Sequence, residues 1–394
     1  MFIINKTLRN KNFMLLSIGS FISCIGDFLY NIGLTIYLYN ITNSINSIAL
    51  MWLSRGILRI PVQYLSGVIA DEYNKRKIII YSNLISVPIA FSLIFVNEKN
   101  LWIAFIIAFL LQSLNDIDMC SENAIFPHLV LKNDLAYCNS IFSFLGSISI
   151  FLSPALGGII YKFLGIKTLF IINSLSFLTA GILFTFIKYN HQKTIQRQRK
   201  IDIFKSGIEG LKILYHYKNV KLIFSIVSIY AILGRFYEIY KVAVSDVLLN
   251  LNAEGIIYFN YSLALGGLLV PFLIKLLSKH KDILIFLLST GIISISYIIF
   301  GYSHNYVITL SILIVLGLCE SIQSIYCKTI IQKNIPKEYL GRIFSSYKML
   351  LTLFSIIGIL SASPLYNSIG IGNSFLLMSI LLLVLCGLSL KKIT

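Results

Sequence analysis

Aspartate and glutamate residues interrupt four long apolar stretches of this sequence, where a charged group is costly and therefore points to function. A carboxyl group in such a setting can bind a proton or attract a cation. For Glu320 we favour this role over that of a hydrogen-bonded carboxyl that only joins helices, whereas for Asp27 we slightly favour a structural role. The candidates for a proton or substrate site are Asp27, Asp116, Asp118, Glu238 and Glu320.

Three arginines in the apolar stretches are candidate charge partners for these acids. From the helical rise, Asp27 lies about 21 Å from the inner end of its helix and Arg55 about 22 Å from the inner end of the next, so they could pair. Arg59, one turn from Arg55, is the competing partner. Arg235 and Glu238 are three residues apart on one helix and could neutralise each other. A paired acid would be structural, whereas an unpaired one could carry a proton.

The composition supplies membrane-spanning elements that can position these residues. Hydrophobic residues make up 57% of the 394 and charged residues only 12%, far from the average of soluble proteins. A transmembrane helix needs about 20 mostly apolar residues, and the chain holds about twelve such segments. We therefore predict an all-α integral membrane protein. The predicted segments are Phe13 to Leu38, Ile45 to Ala70, Ile78 to Val96, Leu101 to Ile125, Ser140 to Tyr161, Ile166 to Ile187, Val220 to Leu248, Gly255 to Leu277, Ile283 to Tyr302, Tyr306 to Ile331, Ile343 to Tyr366 and Ile371 to Leu390.

Basic residues are concentrated in alternate connections between these segments, the pattern that the positive-inside rule assigns to the cytoplasm. It predicts a multi-pass protein of the cell inner (plasma) membrane with both termini cytoplasmic. The first segment is too long for a cleaved signal peptide and is expected to stay as an anchor. The net charge of +17 is then mostly a topology signal, and no nucleic-acid partner is expected.

The two halves of the sequence resemble each other. YKFLGIKTLFIINSL from Tyr161 matches YNSIGIGNSFLLMSI from Tyr366 at an offset of about 205 residues. This predicts two six-helix pseudo-repeats, 1–187 and 220–394, joined by a polar cytoplasmic linker, 188–219. Within the linker, Ile203 to Tyr215 has the spacing of an amphipathic helix on the membrane surface, and a solvated linker without a specific role is the alternative.

The stretch GVIADEYNKRK, from Gly67 to Lys77, gathers charges between the second and third segments. Gly67 would allow a neighbouring helix to approach closely, and Asp71 is an anion suited to the positive N-terminus of such a helix. Lys75 and Arg76 would hold the loop on the cytoplasmic side. A solvated loop that only follows the positive-inside rule is the alternative.

Gly67, Asp71, Lys75 and Arg76 together resemble the G-x-x-x-D-R-x-G-R-R signature of the major facilitator superfamily. That resemblance implies twelve helices in two halves, with Asp71 bound to the start of helix eleven as a latch. Two positions depart from the signature. Glu72 stands where the family usually has a basic residue, and Asn74 replaces a glycine. Because Asn tolerates positive φ, a tight turn is still expected.

Further stretches resemble the macrolide-efflux and siderophore-exporter-like branch of that superfamily: NFMLLSIGSFISCIGDFLY in helix one, SPALGG in helix five and IPKEYLGRIFS before helix eleven. Pro154, Gly157 and Gly158 of SPALGG resemble the antiporter motif, with Ser153 in place of the usual glycine. Where the branch often has arginine in helix four, this chain has Glu122.

The resemblance implies a secondary transporter that works by alternating access and exports a lipophilic or amphipathic compound in exchange for protons, with a cationic drug or macrolide as one option. A siderophore exporter, an uptake porter and a non-transporting receptor or scaffold are the alternatives. The expected partners are a small-molecule substrate, protons and the lipid bilayer, and the expected state is a monomer. The sequence has none of the nucleophile, metal or phosphate-binding motifs of an enzyme, so we expect no enzymatic activity, no cofactor and no metal.

Overall fold

The computed structural model describes residues 10–42, 45–189, 217–249 and 252–390, and this part of the chain is helical, without strands. Helices are favoured because, inside a bilayer, a helix satisfies its backbone hydrogen bonds within one segment. The predicted linker, 188–219, lies almost wholly outside the described residues. The predicted amphipathic helix from Ile203 to Tyr215 lies entirely outside them.

The helices follow the predicted segments. The first six are α1 (Lys11–Thr42), α2 (Ile45–Glu72), α3 (Lys75–Ser92), α4 (Trp102–Leu129), α5 (Leu135–Leu164) and α6 (Ile166–Thr185). They are followed by α7 (Lys218–Ala243), α8a (Asn252–Leu268), α8b (Val270–Leu277), α9 (Asp282–Tyr302) and α10 (Tyr306–Asn334). The last helix, Leu340–Leu390, is interrupted at Gly370, and we name its two parts α11 and α12.

Ten helices of the described chain are long and apolar enough to cross a membrane when Leu340–Ser389 is counted once. Dividing that span at Gly370 and adding α2, whose arginines lower its mean hydropathy, yields the twelve predicted crossings. The prediction of an all-α, multi-pass membrane protein with twelve helices is confirmed.

Backbone geometry supports the predicted repeat. Gly165 separates α5 from α6 with φ 79° and ψ 171°, and Gly370 separates α11 from α12 with φ 81° and ψ 176°. Positive φ of this kind is readily available to glycine only. Phe170 and Phe375, five residues further on, are both fully buried. The matched segments therefore share a backbone turn and a packing position.

Helix packing follows the same repeat. In the N-terminal half, α4 packs against α2 and α3. In the C-terminal half, α10 packs against the equivalent helices, α8a and α9. Helices four and ten, which carry the predicted acids Asp116, Asp118 and Glu320, thus occupy equivalent places in the two halves.

The described residues form two compact units that differ from the predicted halves at two segments. The first unit contains the described residues of 10–134, 149–189 and 335–346, and the second contains those of 135–148, 217–334 and 347–390. The start of α5 belongs to the second unit and the start of α11 to the first. These two segments occupy corresponding positions in the repeat. The division into halves at 187 and 220 stays a prediction.

Candidate functional site

The carboxylate of Asp71, in the last turn of α2, binds the first backbone N–H groups of α11, within the first unit. Oδ1 accepts a hydrogen bond from the Gly341 N–H at 2.6 Å, and Oδ2 accepts one from the Arg342 N–H at 2.9 Å. N–H groups in a first turn have no partner inside their own helix, and the helix dipole there favours an anion. The Asp71 side chain is 2% exposed, so water hardly competes. This contact is the one that the family resemblance implies.

Arg342 of α11 forms an ion pair with Glu72, the acid that directly follows Asp71. The Arg342 Nη2 donates to Oε1 of Glu72 at 2.6 Å, and its Nε lies 3.7 Å from Oδ2 of Asp71. Lys75, 4% exposed, lies close enough to attract both acids. The departure at Glu72 therefore adds an ion pair to the contact between α2 and α11. Sequence reasoning missed this pair because Arg342 lies 270 positions away in the chain.

Two glycines bring the backbones of α2 and α11 together. A Cβ atom on Gly67 would lie 2.0 Å from Oγ of Ser345 and 2.8 Å from the carbonyl oxygen of Gly341. A Cβ atom on Gly341 would lie 2.7 Å from the carbonyl oxygen of Gly67. The two backbones thus approach closely at Gly67, and this approach places Asp71 within hydrogen-bonding distance of the start of α11.

The loop after α2 is tight, as predicted, but Asn74 does not use a positive φ. Its φ is −64°, and its Oδ1 accepts a hydrogen bond from the Lys77 N–H at 3.2 Å, so it caps the N-terminus of α3. Arg76 donates to the carbonyl oxygens of Phe184 and Thr185 at the end of α6. In this structure Arg76 thus ties α3 to α6 and does not bind α11.

Asp116 of α4 forms a bidentate ion pair with Arg59 of α2. The Arg59 Nε lies 2.5 Å from Oδ2 of Asp116, and its Nη2 donates to Oδ1 at 2.7 Å. The Asp116 side chain is fully buried, whereas that of Arg59 is 32% exposed. The expectation that Arg59 competes for Asp27 is therefore replaced by a pair with Asp116. The cation beside Asp116 of α4 is therefore supplied by α2.

Replacing Arg59 with Met should destabilise the protein by roughly 1.5–3 kcal/mol, because it removes the two hydrogen bonds that Arg59 donates to the buried carboxylate of Asp116. Thermal unfolding of the purified protein in detergent measures this loss. The double variant Arg59→Met/Asp116→Asn should recover much of it, since a neutral amide then replaces the buried carboxylate. Lys99→Met, a substitution of an exposed cation, serves as the control. An Arg59→Met variant with unchanged melting temperature would show that the pair is not structural.

Two further acids of the N-terminal half are held by amide side chains. Oδ2 of Asp27 accepts a hydrogen bond from Asn115 Nδ2 at 2.9 Å, and Oδ2 of Asp118 accepts one from Asn83 Nδ2 at 3.2 Å. The side chain of Arg55 lies outside the described residues, so its predicted pairing with Asp27 stays a prediction. Both amides donate to a carboxylate without neutralising it.

Glu320 is the central residue of α10 (Tyr306–Asn334). The hydroxyl of Tyr297 donates to its Oε1 at 2.8 Å, and that of Tyr230 also hydrogen-bonds to it. The Tyr297 ring stacks on Phe375 with centroids 5.6 Å apart, which fixes the donor in place. No described residue forms an ion pair with Glu320. Neutral hydroxyls can hold the carboxylate by hydrogen bonds, but they do not compensate its charge, which makes burial of the ionised form costly.

Glu238 of α7 pairs with Lys241, not with Arg235 as expected. The Lys241 Nζ lies 2.7 Å from Oε2 of Glu238 and 5.5 Å from the centroid of the Tyr237 ring. Lys241 follows Glu238 by three residues, and Arg235 precedes it by three. The spacing alone therefore could not decide between the two partners. The ring of Tyr237 beneath Lys241 favours Lys241.

The antiporter-like motif lies inside α5. Pro154 is accommodated within the helix. A Cβ atom on Gly157 would lie 3.2 Å from Cδ1 of Ile32 in α1, whereas one on Gly158 would meet nothing within 4 Å. Gly157 therefore allows close packing of α5 against α1. No described atom lies close enough to Gly158 to exclude a side chain there.

Comparison with known proteins agrees with this geometry. The model of the Major Facilitator Superfamily matches residues 16–359. Macrolide efflux protein A of Streptococcus pyogenes is 25% identical over 326 residues, which cover 80% of this chain and 80% of that protein. The MFS-type transporter YfiS of Bacillus subtilis (strain 168) is 23% identical over 413 residues, covering 96% of this chain and 92% of that protein.

Solved structures show the same fold. The transporter FucP in its outward conformation superposes with a TM-score of 0.77 at 13% identity, over 96% of this chain and 98% of that one. A bacterial homologue of the iron transporter ferroportin, in an outward-facing state, has a TM-score of 0.74 at 17% identity, over 97% and 98% of the two chains. At such identities these structures establish the architecture alone.

Proposed function

This chain belongs to the Major Facilitator Superfamily, and on that basis we propose that it is a secondary active transporter that works by alternating access. The transported compound is lipophilic or amphipathic, leaves the cell and is exchanged for protons. The similarity to macrolide efflux protein A supports the direction and the kind of compound. A superfamily of transporters provides no reason to expect an enzyme.

The observation that carries the proton coupling is the state of Glu320. It lies at the centre of α10, and its hydrogen bonds come from the hydroxyls of Tyr297 and Tyr230, not from a cation. By contrast, Asp116 is neutralised by Arg59 and Glu238 by Lys241. We therefore assign proton exchange during transport to Glu320, which lies at the centre of its helix and is held by neutral hydroxyls.

Coupling follows from the charge on this carboxyl group. After the substrate has left on the outside, protonation of Glu320 there neutralises the carboxyl group and favours return of the empty transporter, and loss of the proton to the cytoplasm resets the site. The contact between Asp71 and the start of α11 acts as a latch on the cytoplasmic side, since it has to break whenever α2 and α11 separate. Protonation and the latch thus bias the same conformational equilibrium.

The remaining properties follow from the family and from the basic connections. We place the protein in the cell inner membrane as a monomer with both termini cytoplasmic, bound to a small-molecule substrate. A siderophore exporter or an uptake porter of the same fold is the second candidate. No observation in the described structure favours it over export.

The test uses inverted vesicles that contain the protein and are energised to an acidic interior. Macrolides, cationic and anionic dyes and siderophores are added in turn while the internal pH is followed. Export in exchange for protons predicts that one class of compound causes proton release, and that vesicles without the protein do not respond. No response from any compound, with the protein shown to be folded, would contradict drug and proton exchange.

A further inference from the structure

One face of α7 is exposed along its middle and mixes charge with aliphatic side chains. Arg235, Glu238, Ile239 and Val242 are all exposed, and they follow the i, i+3, i+4, i+7 spacing of a single helix face. Ile239 is 40% and Val242 52% exposed. The opposite face, which includes Tyr237, is buried.

The exposed face of α9 has a different chemistry. Its exposed residues at helical spacing are all aliphatic, with exposures between 36% and 53%: Leu288, Ile292, Ile295 and Ile299. A uniformly apolar face is what contact with lipid chains requires. A face that carries Arg235 and Glu238 at mid-membrane cannot serve that purpose, because charged groups there face water or a partner. The α7 face is therefore a surface for polar contact and not a lipid surface.

The charges on this face do not cancel. Glu238 is paired with Lys241, and no described residue forms an ion pair or a hydrogen bond with Arg235. If Glu238 exchanged partners, Lys241 would be left uncompensated instead, so one positive charge remains in either arrangement. Arg235 lies two residues from the centre of the span Val220–Asp246, where such a charge is most costly.

Packing fixes the base of Arg235. A Cβ atom on Gly358 of α11 would lie 3.0 Å from Cβ of Arg235 and 3.1 Å from Cα of Ile232. The close approach of α11 holds this turn of α7 in place, so the side chain starts from a rigid position. The planar guanidinium group is well suited to bind a carboxylate, sulfonate or phosphate group in two contacts.

We propose that Arg235 binds the anionic group of an amphipathic substrate, whose apolar part lies against Ile239 and Val242. This inference rests on the proposed transport function and specifies its substrate class. It departs from the cationic option, because two of the five acids that supported a cation site, Asp116 and Glu238, already pair with protein cations. Arg235 is the mid-membrane cation that forms no ion pair with a described residue, whereas the carboxyl group of Glu320 is assigned to the proton.

The test is equilibrium binding to the purified full-length protein in phosphatidylcholine nanodiscs, without a proton gradient. Three probes share one fluorophore: N-dansylalanine is anionic, dansylamide neutral and dansylcadaverine cationic. The anion should bind at least about 10-fold more tightly than the cation, as expected for a charge-assisted contact. Arg235→Gln should abolish this preference and Arg235→Lys should retain part of it. The control Lys279→Gln, which removes an exposed loop charge, should leave it unchanged.

The arms of this experiment separate the possible explanations. Adding phosphatidylglycerol to the nanodiscs should not weaken binding of the anion, because lipid headgroups lie about 15 Å from the midplane. Competition by that lipid would assign Arg235 to a headgroup instead.

Equal binding of the three probes, failure of the anion to bind, or an unchanged preference in Arg235→Gln would overturn the proposal. Failure of proton coupling alone would leave these results intact. Should Arg235→Gln not fold, the preference of the wild-type protein and of Arg235→Lys still decides the matter.

Discussion

Replacing Glu320 with Gln should lower proton-driven export by about 100-fold or more, the scale on which removal of a proton-transferring group acts. Gln has the shape of a protonated Glu and can still accept the hydrogen bond from Tyr297, so the fold of α9 and α10 should persist. It cannot, however, gain or lose a proton. The rate of substrate accumulation in energised inverted vesicles measures the effect.

Exchange of labelled for unlabelled substrate across vesicles without a proton gradient should survive in the Glu320→Gln variant. Such exchange needs the conformational change but no net proton movement. The matched control is Glu338→Gln, the same chemical change at an exposed position between α10 and α11. Full proton-driven export by Glu320→Gln would remove this residue from the coupling mechanism. Loss of both activities together would point to substrate binding at Glu320 in place of coupling.

Replacing Asp71 with Ala should weaken the contact between α2 and α11 enough to change a conformational equilibrium by about 100-fold or more. The change removes two hydrogen bonds to a charged acceptor, each worth roughly 1.5–3 kcal/mol, and leaves the N–H groups of Gly341 and Arg342 without a partner. Ser346→Cys, a buried reporter at the start of α11, should then react faster with a maleimide by the same factor.

The control for Asp71→Ala is Asp282→Ala, which removes a different acid, one that pairs with Lys333 of α10. Asp282 lies 2.6 Å from Lys333, but both side chains are more than 20% exposed, so Asp282→Ala should cost little. The Ser346→Cys reporter should react with the maleimide at the same rate with Asp282→Ala as without it. Gly67→Ala should act in the same direction as Asp71→Ala, because its Cβ would collide with Ser345. Unchanged labelling in both latch variants would show that the contact does not limit opening.

The sequence by itself determined the membrane architecture. Segment length and composition are local properties, and in a bilayer an apolar run of about 20 residues has few options other than a helix. The repeat was readable for the same reason, since Gly165 and Gly370 each have to supply a positive φ at one turn. Gly67 and Asp71 were readable because their spacing and types are those of a known signature.

Only the tertiary structure decided which charges meet. The pairs Arg59 with Asp116, Lys241 with Glu238 and Arg342 with Glu72 depend on the rotation of each helix about its axis and on its depth relative to its neighbours. Sequence spacing restricts both quantities weakly, because a shift of one residue turns a side chain by about 100°. The sequence therefore specified which residues carry charge inside the membrane, and packing determined which of them meet among the described residues, where Arg235 and Glu320 form no ion pair.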